Sequence, residues 1–324
     1  MTSVYVSRPL PEPGVSLLRA AGFDVEEHEV DAPPARAALL SRVADKAAIL
    51  SMLTERIDAK LMDAAPGLRV VANLAVGYDN IDVPAATERG IVVTNTPDVL
   101  TEATADLAWT LLMAAARRLG EGDRLVRAGE WKGWSPTQLL GQAVWGQTIG
   151  IVGMGKIGTA VARRARGFGM SVIYRNRSPR PQAEAELDAR PVDLPTLWRE
   201  ADFVSLHAPL TEQTRHIVDA DALSRMRDTA VLVNTARGPL VDEAALVDAL
   251  RGGAIAAAGL DVFESEPSID AGLAPLENVV LAPHIGSATI DARSAMVRCC
   301  SDNIVAVLKG DPPLTPLNPE VLGS

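Results

Sequence analysis

The chain is 324 residues long, enough for two domains with separate cores. Apolar residues make up 48% and charged ones 22%, the balance of an ordinary soluble globular protein. The net charge of −10 argues against general binding to nucleic acid or anionic membranes, and no apolar run approaches the ~18 residues of a membrane span.

The chain opens directly on a strand with no basic leader before it, so a cytoplasmic location is expected. In the first hundred residues strands are expected at 4–7, 24–29, 48–52, 69–73 and 91–94, with helices at 14–21, 35–43, 58–64 and 84–89. Leu107, Leu111, Leu112, Ala115 and Leu119 keep helical spacing, which predicts one helix over 101–119 closed by Gly120. Trp131, Trp134 and Trp145 then fall in a stretch of weak periodicity. Such aromatic loops belong to interfaces more often than to catalysis, so the 120–147 segment is expected to be the arm of a homodimer. Beyond residue 148 the alternation restarts. Strands are expected at 171–174, 203–206, 230–234, 257–261 and 279–281, and helices at 196–200, 219–226, 243–251 and 289–309. Cys299 and Cys300 are adjacent on the last of these helices and form neither a disulfide framework nor a metal motif; no metal site is expected.

This alternation predicts an α/β protein with two Rossmann-like doubly wound parallel-sheet domains, one flavodoxin-like and one dinucleotide-binding. The last helix is longer than the second sheet needs. It is therefore placed back on the first domain, which becomes discontinuous: 1–100 plus 289–324 for substrate, and 101–288 for the dinucleotide.

The dinucleotide reading rests on residues 148–158. An apolar β-branched run ends in Gly153-Met154-Gly155-Lys156-Ile157-Gly158, and a helical pattern at 159–168 follows. Gly153 allows the tight turn out of the strand, Gly155 lets backbone approach a pyrophosphate, and Gly158 lets helix pack on sheet. The helix N-terminus then offers N–H groups and a positive dipole end to the phosphates. An NAD-preferring fold places a carboxylate at the end of the next strand, about 20 residues on. Here that strand runs into Arg175-Asn176-Arg177-Ser178, two guanidiniums and a hydroxyl with no acid among them. That set suits a 2′-phosphate, so NADPH is expected over NADH.

Ligands of doubly wound sheets bind beyond the carboxyl ends of the strands. Four such ends carry reactive residues: 206–209 with His207, 233–238 with Arg237, 260–267 with Asp261, Glu264 and Glu266, and 281–287 with His284. Hydride transfer to a ketone needs a proton donor for the forming alkoxide, and histidine suits that task. A carboxylate behind the ring orients it and favours its protonated form. An arginine grips a substrate carboxylate in bidentate fashion. Arg237, Glu266 and His284 meet these needs, but on strand-end placement alone His207 and Glu264 remain rivals. His28 and His216 lack such a context and read as solvated.

The segments 153–158, 234–238, 261–267 and 283–287 resemble the signature set of the D-isomer-specific 2-hydroxyacid dehydrogenases. Residues 73–82 and the 175–178 turn carry a further likeness to the glyoxylate/hydroxypyruvate reductases of that family. The resemblance runs from about residue 45 to the C-terminus, in the same order and at family-like spacing. It implies Arg237 as carboxylate anchor, Glu266 as partner of the acid/base His284, and His207 close to the nicotinamide but outside that pair. It also implies substrate contacts at Leu53, at the N–H groups of Val76 and Gly77, and at Ser287. Lys156 and Ile157 fall at the pyrophosphate, Thr104 near the phosphates, and Pro209, Thr235 and Asp261 around the nicotinamide half.

The function expected is NADPH-preferring reduction of small 2-keto acids, glyoxylate and hydroxypyruvate first. Rival readings are a relative acting on a larger keto acid such as 2-ketogluconate, a phosphite dehydrogenase, and a corepressor-like nucleotide sensor. The first two keep the Arg–Glu–His set. The third needs no turnover, against which a complete set argues.

Overall fold

The computed structural model describes residues 2–323. The chain alternates from its start: β1 (Ser3–Val6), α1 (Ser16–Ala20), β2 (Asp24–Glu27), α2 (Arg36–Val43) and β3 (Ala48–Ser51). There follow α3 (Ala59–Asp63), β4 (Val70–Asn73), α4 (Val83–Glu88) and β5 (Val92–Thr94). Two helices, α5 (Thr101–Ala116) and α6 (Leu119–Arg127), lead through an irregular stretch to β6 (Thr148–Val152), α7 (Lys156–Ala165) and β7 (Ser171–Arg175). Next come α8 (Pro181–Leu187), β8 (Arg190–Pro191), α9 (Leu194–Glu200), β9 (Phe203–Leu206), α10 (Ala220–Arg225) and β10 (Val231–Asn234). The last elements are α11 (Glu243–Gly252), β11 (Ala257–Leu260), β12 (Val279–Leu281) and α12 (Ile290–Lys309). No helix among the described residues is long and apolar enough to cross a membrane.

The chain divides into two compact units. Residues up to Leu100 and from Ser287 onward make one, and Thr101–Gly286 makes the other. The first holds a five-stranded sheet in the order β2-β1-β3-β4-β5, all parallel, the flavodoxin-type winding. Tyr5, Ile49, Val71 and Val93 point to one face of it and pack with Leu39, Leu61 and Ala86 from the helices. Helix α12 packs on β3, β4 and β5 of this unit. The Arg69 guanidinium donates to the Val307 and Leu308 carbonyls at the end of α12, at 2.8 and 3.2 Å. The edge of β5 is closed by the last part of the chain: Asn318 accepts from Val93 N–H and donates to the Ile91 carbonyl, both at 2.8 Å.

The second unit holds a seven-stranded parallel sheet, β12-β11-β10-β9-β6-β7-β8. Chain order reverses at β6, which lies between β9 and β7. That is the switch point where doubly wound sheets take their ligands. Alternate residues feed two cores. Val231 and Val233 join the α5 and α7 side, and Leu232 joins Leu197, Leu223 and Leu246 on the other. Trp109 of α5 stacks on Phe168 with ring centroids 4.7 Å apart and donates to the Val161 carbonyl at 3.1 Å.

Three local readings differ from the sequence pattern. The single helix over 101–119 is two helices, because Arg118 adopts φ 52° and turns the chain; Gly120 lies inside α6, and Leu119 is exposed rather than on the α5 stripe. Helix α7 begins at Lys156, not 159, so the fingerprint's last three residues form its first turn. Helix α8, which buries only Ala183 and Leu187, and the two-residue β8 lie in a stretch rich in Glu, Gln and Arg, and one apolar pair is too short a pattern to reveal them.

Candidate active site

The fingerprint glycines divide into two kinds. Gly153 has φ 98°, and a Cβ there would lie 2.5 Å from Ala208 N. A Cβ on Gly158 would lie 2.2 Å from the Gly153 carbonyl oxygen. Both are required by close backbone packing. Gly155 is different: a Cβ there would meet nothing within 4 Å. It is the N-cap of α7 and supplies no side-chain cap. By contrast, Asp193, Asp219 and Asp242 cap α9, α10 and α11 with their carboxylates. Space, first-turn amides at Lys156, Ile157 and Gly158, and a positive dipole end therefore coincide at the switch point. A pyrophosphate fits that combination.

Register places Arg175 beside Val152, and Gly153 N–H donates to the Arg175 carbonyl at 2.8 Å. The turn after β7 thus starts next to the glycine loop. Asn176 donates to the Ser178 carbonyl at 2.8 Å and closes the turn on itself, while Arg175, Arg177 and Ser178 are exposed. No carboxylate stands in 175–178.

The reactive residues stand at neighbouring strand ends, since β9, β10, β11 and β12 are paired in register. After β10, Asn234 folds the chain back: it accepts from Ala236 N–H at 3.0 Å and donates to the Arg237 carbonyl at 2.8 Å. The half-buried Arg237 is followed by Gly238, where a Cβ would lie 1.9 Å from the carbonyl carbon of Phe263. Any side chain at 238 would push the arginine loop off the loop that carries Glu266. Glu266 accepts from Phe263 N–H at 3.0 Å with Oε1, and meets His284 Nδ1 at 2.8 Å with Oε2. Burial alone would raise the Glu266 carboxyl, but the hydrogen bond and charge of His284, the Phe263 amide and the Arg237 charge outweigh it and hold the carboxyl below its usual value.

Asp261 anchors the His284 turn. It is buried, and its two oxygens accept from Ile285 N–H at 2.7 Å and Gly286 N–H at 2.8 Å, while its carbonyl accepts from His284 N–H at 2.9 Å. These bonds hold His284 at φ 53°, a left-handed conformation that few non-glycine residues adopt. Burial pushes the Asp261 carboxyl up, more than those amides and the His284 charge pull it down. Thr104 is buried beside the same turn, 3.4 Å from the Cβ position of Gly286. Thr235 is also buried, and its hydroxyl meets no hydrogen-bond partner among the described residues. Pro209 is exposed after β9, its carbonyl accepting from Thr214 Oγ1 at 2.7 Å.

The two rivals separate. His207 bonds Ser205 Oγ through Nε2 at 2.8 Å, and burial pulls its pKa down to about 4, so its ring is neutral near pH 7. Glu264 does not face His284; its Oε1 meets His216 Nε2 at 2.6 Å. His216 is therefore not simply solvated, as its sequence context suggested. A partner 48 residues away gives no local signal.

In the first unit, Leu53, Val76 and Gly77 stand at the carboxyl ends of β3 and β4, all half-buried. The Ala75 carbonyl accepts from Thr96 N–H at 3.0 Å and the Val76 carbonyl from Asn95 at 2.8 Å. In a planar trans peptide the following N–H points the opposite way. The N–H groups of Val76 and Gly77 are thus turned outward, and neither donates among the described residues. Two successive outward amides form an anion-binding concavity. Asn95 was missed by sequence reasoning; nothing but its polarity after a strand marks it. Ser287 opens the return of the chain to this unit, its carbonyl accepting from Thr289 N–H at 2.8 Å.

A glycine-capped helix N-terminus with open space before it, at a switch point, suits a dinucleotide, and an imidazole backed by a carboxylate on adjacent strand ends suits proton transfer beside it. This is the layout of a nicotinamide-dependent oxidoreductase. Residues 109–286 match the family model of the D-isomer specific 2-hydroxyacid dehydrogenase, NAD binding domain. The chain is 54% identical over 323 residues to a glyoxylate reductase of Thermococcus kodakarensis, covering 98% of this chain and 97% of the relative. It is similar to the crystal structure of the TT0316 protein from Thermus thermophilus, with TM-score 0.93, 47% identity, and coverage of 98% and 100%. An NADPH-dependent glyoxylate/hydroxypyruvate reductase from Sinorhizobium meliloti, solved with NADP and malonate, gives TM-score 0.86 and 38% identity, with coverage of 98% and 96%. The chain belongs to the D-isomer-specific 2-hydroxyacid dehydrogenase family and is an NAD(P)-dependent dehydrogenase.

Two measurements check this geometry. Gly155→Ala is expected to keep the melting temperature while weakening dinucleotide binding roughly tenfold or more in a fluorescence titration. Gly158→Ala is expected to lower the melting temperature, because backbone must move; the reverse pattern would contradict the two kinds of glycine described. The second concerns His207, whose depressed pKa stabilises the fold fully above its ordinary value of 6.5, with that share lost as pH falls towards about 4. The loss is on the order of 3 kcal/mol. Urea unfolding at about pH 7 and about pH 4.5 is expected to show a smaller pH-dependent loss in His207→Gln than in the wild type.

Proposed function

We propose that the protein reduces small 2-keto acids, glyoxylate to glycolate and hydroxypyruvate to D-glycerate, and prefers NADPH to NADH. The observation that carries this reading is the Glu266–His284 pair at 2.8 Å with Arg237 close enough to act on the Glu266 carboxyl. The 54% identity to a glyoxylate reductase supports the choice of the smallest keto acids.

The dinucleotide supplies the hydride that converts the keto carbon into an alcohol carbon. Glu266 holds Nδ1 of His284, which leaves Nε2 to carry the proton for the alkoxide oxygen. An ionised Glu266 favours the imidazolium needed for that donation. Arg237 anchors the substrate carboxylate and polarises the carbonyl, and the outward amides of Val76 and Gly77 are further donors for the carboxylate. Leu53 covers the small substrate. Thr104, Lys156 and Ile157 serve the phosphates, while His207, Pro209, Thr235 and Asp261 border the nicotinamide half. Neutral His207 adds no second charge there. Arg175, Asn176, Arg177 and Ser178 receive the 2′-phosphate.

A homodimer through the 120–147 arm belongs to the same reading. Helix α6 buries none of its residues, and Trp131, Trp134 and Leu140 stand exposed after it.

Steady-state kinetics with glyoxylate, hydroxypyruvate, pyruvate and 2-ketogluconate, each with NADPH and NADH, test the proposal. Glyoxylate and hydroxypyruvate with NADPH are expected to give the highest kcat/KM. Preference for 2-ketogluconate would overturn the substrate, and preference for NADH would overturn the cofactor. Asn176→Asp combined with Arg177→Gln is expected to move the NADPH:NADH ratio towards NADH by about 2–4 kcal/mol, from a lost charge-assisted contact and an added repulsion. His284→Asn is expected to lower kcat by roughly 10²–10⁴ with dinucleotide binding unchanged. Glu266→Gln is expected to move the high-pH decline of reduction to lower pH, since the imidazolium loses its counter-charge.

A further inference from the structure

The loop that carries Glu266 has little to hold it. Between the buried Phe263 and the buried Leu273 no residue is buried; Ser265, Pro267, Ser268 and Ile269 are exposed, and the Glu266 side chain is half-buried. Glu266 must nevertheless meet both the Phe263 amide and His284 Nδ1. An exposed loop without a core anchor does not hold a carboxylate to such geometry unaided.

Glu243, the first residue of α11, is the buried group that meets this loop. Its Oε1 accepts from Glu264 N–H at 2.5 Å and its Oε2 from Asp270 N–H at 3.2 Å. One carboxylate thus grips the loop on both sides of Glu266. The contact is reciprocal, for Glu264 Oε2 faces Glu243 N–H at 3.5 Å. The other Glu264 oxygen is taken by His216, whose own N–H donates to the Pro239 carbonyl at 2.8 Å. Chain segments around Arg237 and Glu266 are therefore tied to one buried carboxylate. Among the described residues the charges that act on Glu243 are those of Glu264 and Asp270, both acidic. Burial raises the Glu243 carboxyl, more than the amides of Glu264 and Asp270 pull it down.

We infer that Glu243 is a positioning residue for the acid–base pair: by bracketing residues 264–270 it fixes the distance from Glu266 to His284. The inference rests on the proposed roles of Glu266 and His284. Its chemistry is specific to two acceptor oxygens. Glutamine keeps the shape but turns one acceptor into an NH2 donor facing an N–H donor, so one bond is lost and a repulsive contact made.

The test compares pH–rate profiles for glyoxylate reduction in wild type, Glu266→Gln and Glu243→Gln, with melting temperatures measured in parallel. Glu243→Gln is expected to move the high-pH decline in the same direction as Glu266→Gln but less far. It is also expected to lower kcat roughly tenfold while leaving glyoxylate KM within about twofold, since a misplaced partner affects proton delivery more than binding. A purely structural glutamate would lower the melting temperature and leave the profile of the folded enzyme in place; that result overturns the inference. If Glu266→Gln itself leaves the profile unmoved, the roles of the pair are wrong and the inference falls with them. If Glu266→Gln moves it and Glu243→Gln does not, only the inference fails. Should Glu243→Gln not fold, Glu243→Asp is read the same way: its shorter reach is expected to produce a smaller shift in the same direction, and no shift overturns the inference.

Discussion

Asp261 stands at the end of β11 with both carboxylate oxygens on the amides of Ile285 and Gly286 and its carbonyl on the amide of His284. The turn that presents the imidazole is therefore built by one buried side chain. The conformation it imposes on His284 lies in a region that disfavours a residue with a Cβ, and such a placement persists only where surrounding bonds over-determine it. Three bonds to a single residue do so here. The remaining groups follow from this one. Glu266 is useful only because the ring is held where its Nδ1 can be met, and Arg237 only because Gly238 lets its loop lie on the backbone of Phe263 and Glu264.

What makes this economy possible is the parallel sheet. Strands β9 to β12 end in register, so residues distant in sequence emerge side by side with no long side chain needed to bridge them. The first unit shows the same logic with neutral groups. Asn95 and Thr96 hold two successive carbonyls, and peptide planarity turns the attached amides outward. In both units a polar side chain behind the strand end determines where a neighbouring group points.

Much of the site is legible in the sequence where steric necessity writes it. Gly153 and Gly158 cannot be other residues without moving backbone, and their spacing after an apolar run marks the fold directly. Strand ends are legible for the same reason, because a run of buried residues must stop where polar chemistry begins. Long-range pairing is not. Glu264 and Glu266 are two residues apart and strand-end placement does not separate them; the resemblance implies Glu266 for His284, and the pairing of Glu264 with His216 is visible only in the fold. Helix spacing likewise does not register a single left-handed residue such as Arg118, so a stripe of leucines reads on across a break. Glu243 lacks any mark of its own, being one acid among several at helix starts.

The contribution of Asn318 to the edge of β5 has a consequence during synthesis. The five strands of the first unit leave the ribosome before any of Thr101–Gly286, but their outer edge and the face under α12 stay uncovered until the end of the chain arrives. At ~5–20 residues per second that interval is on the order of ten seconds or more. Over that time the nascent first unit exposes a β5 edge able to template another strand, while the contiguous second unit has all its parts and can close. Completion of the first unit thus waits on synthesis of the second.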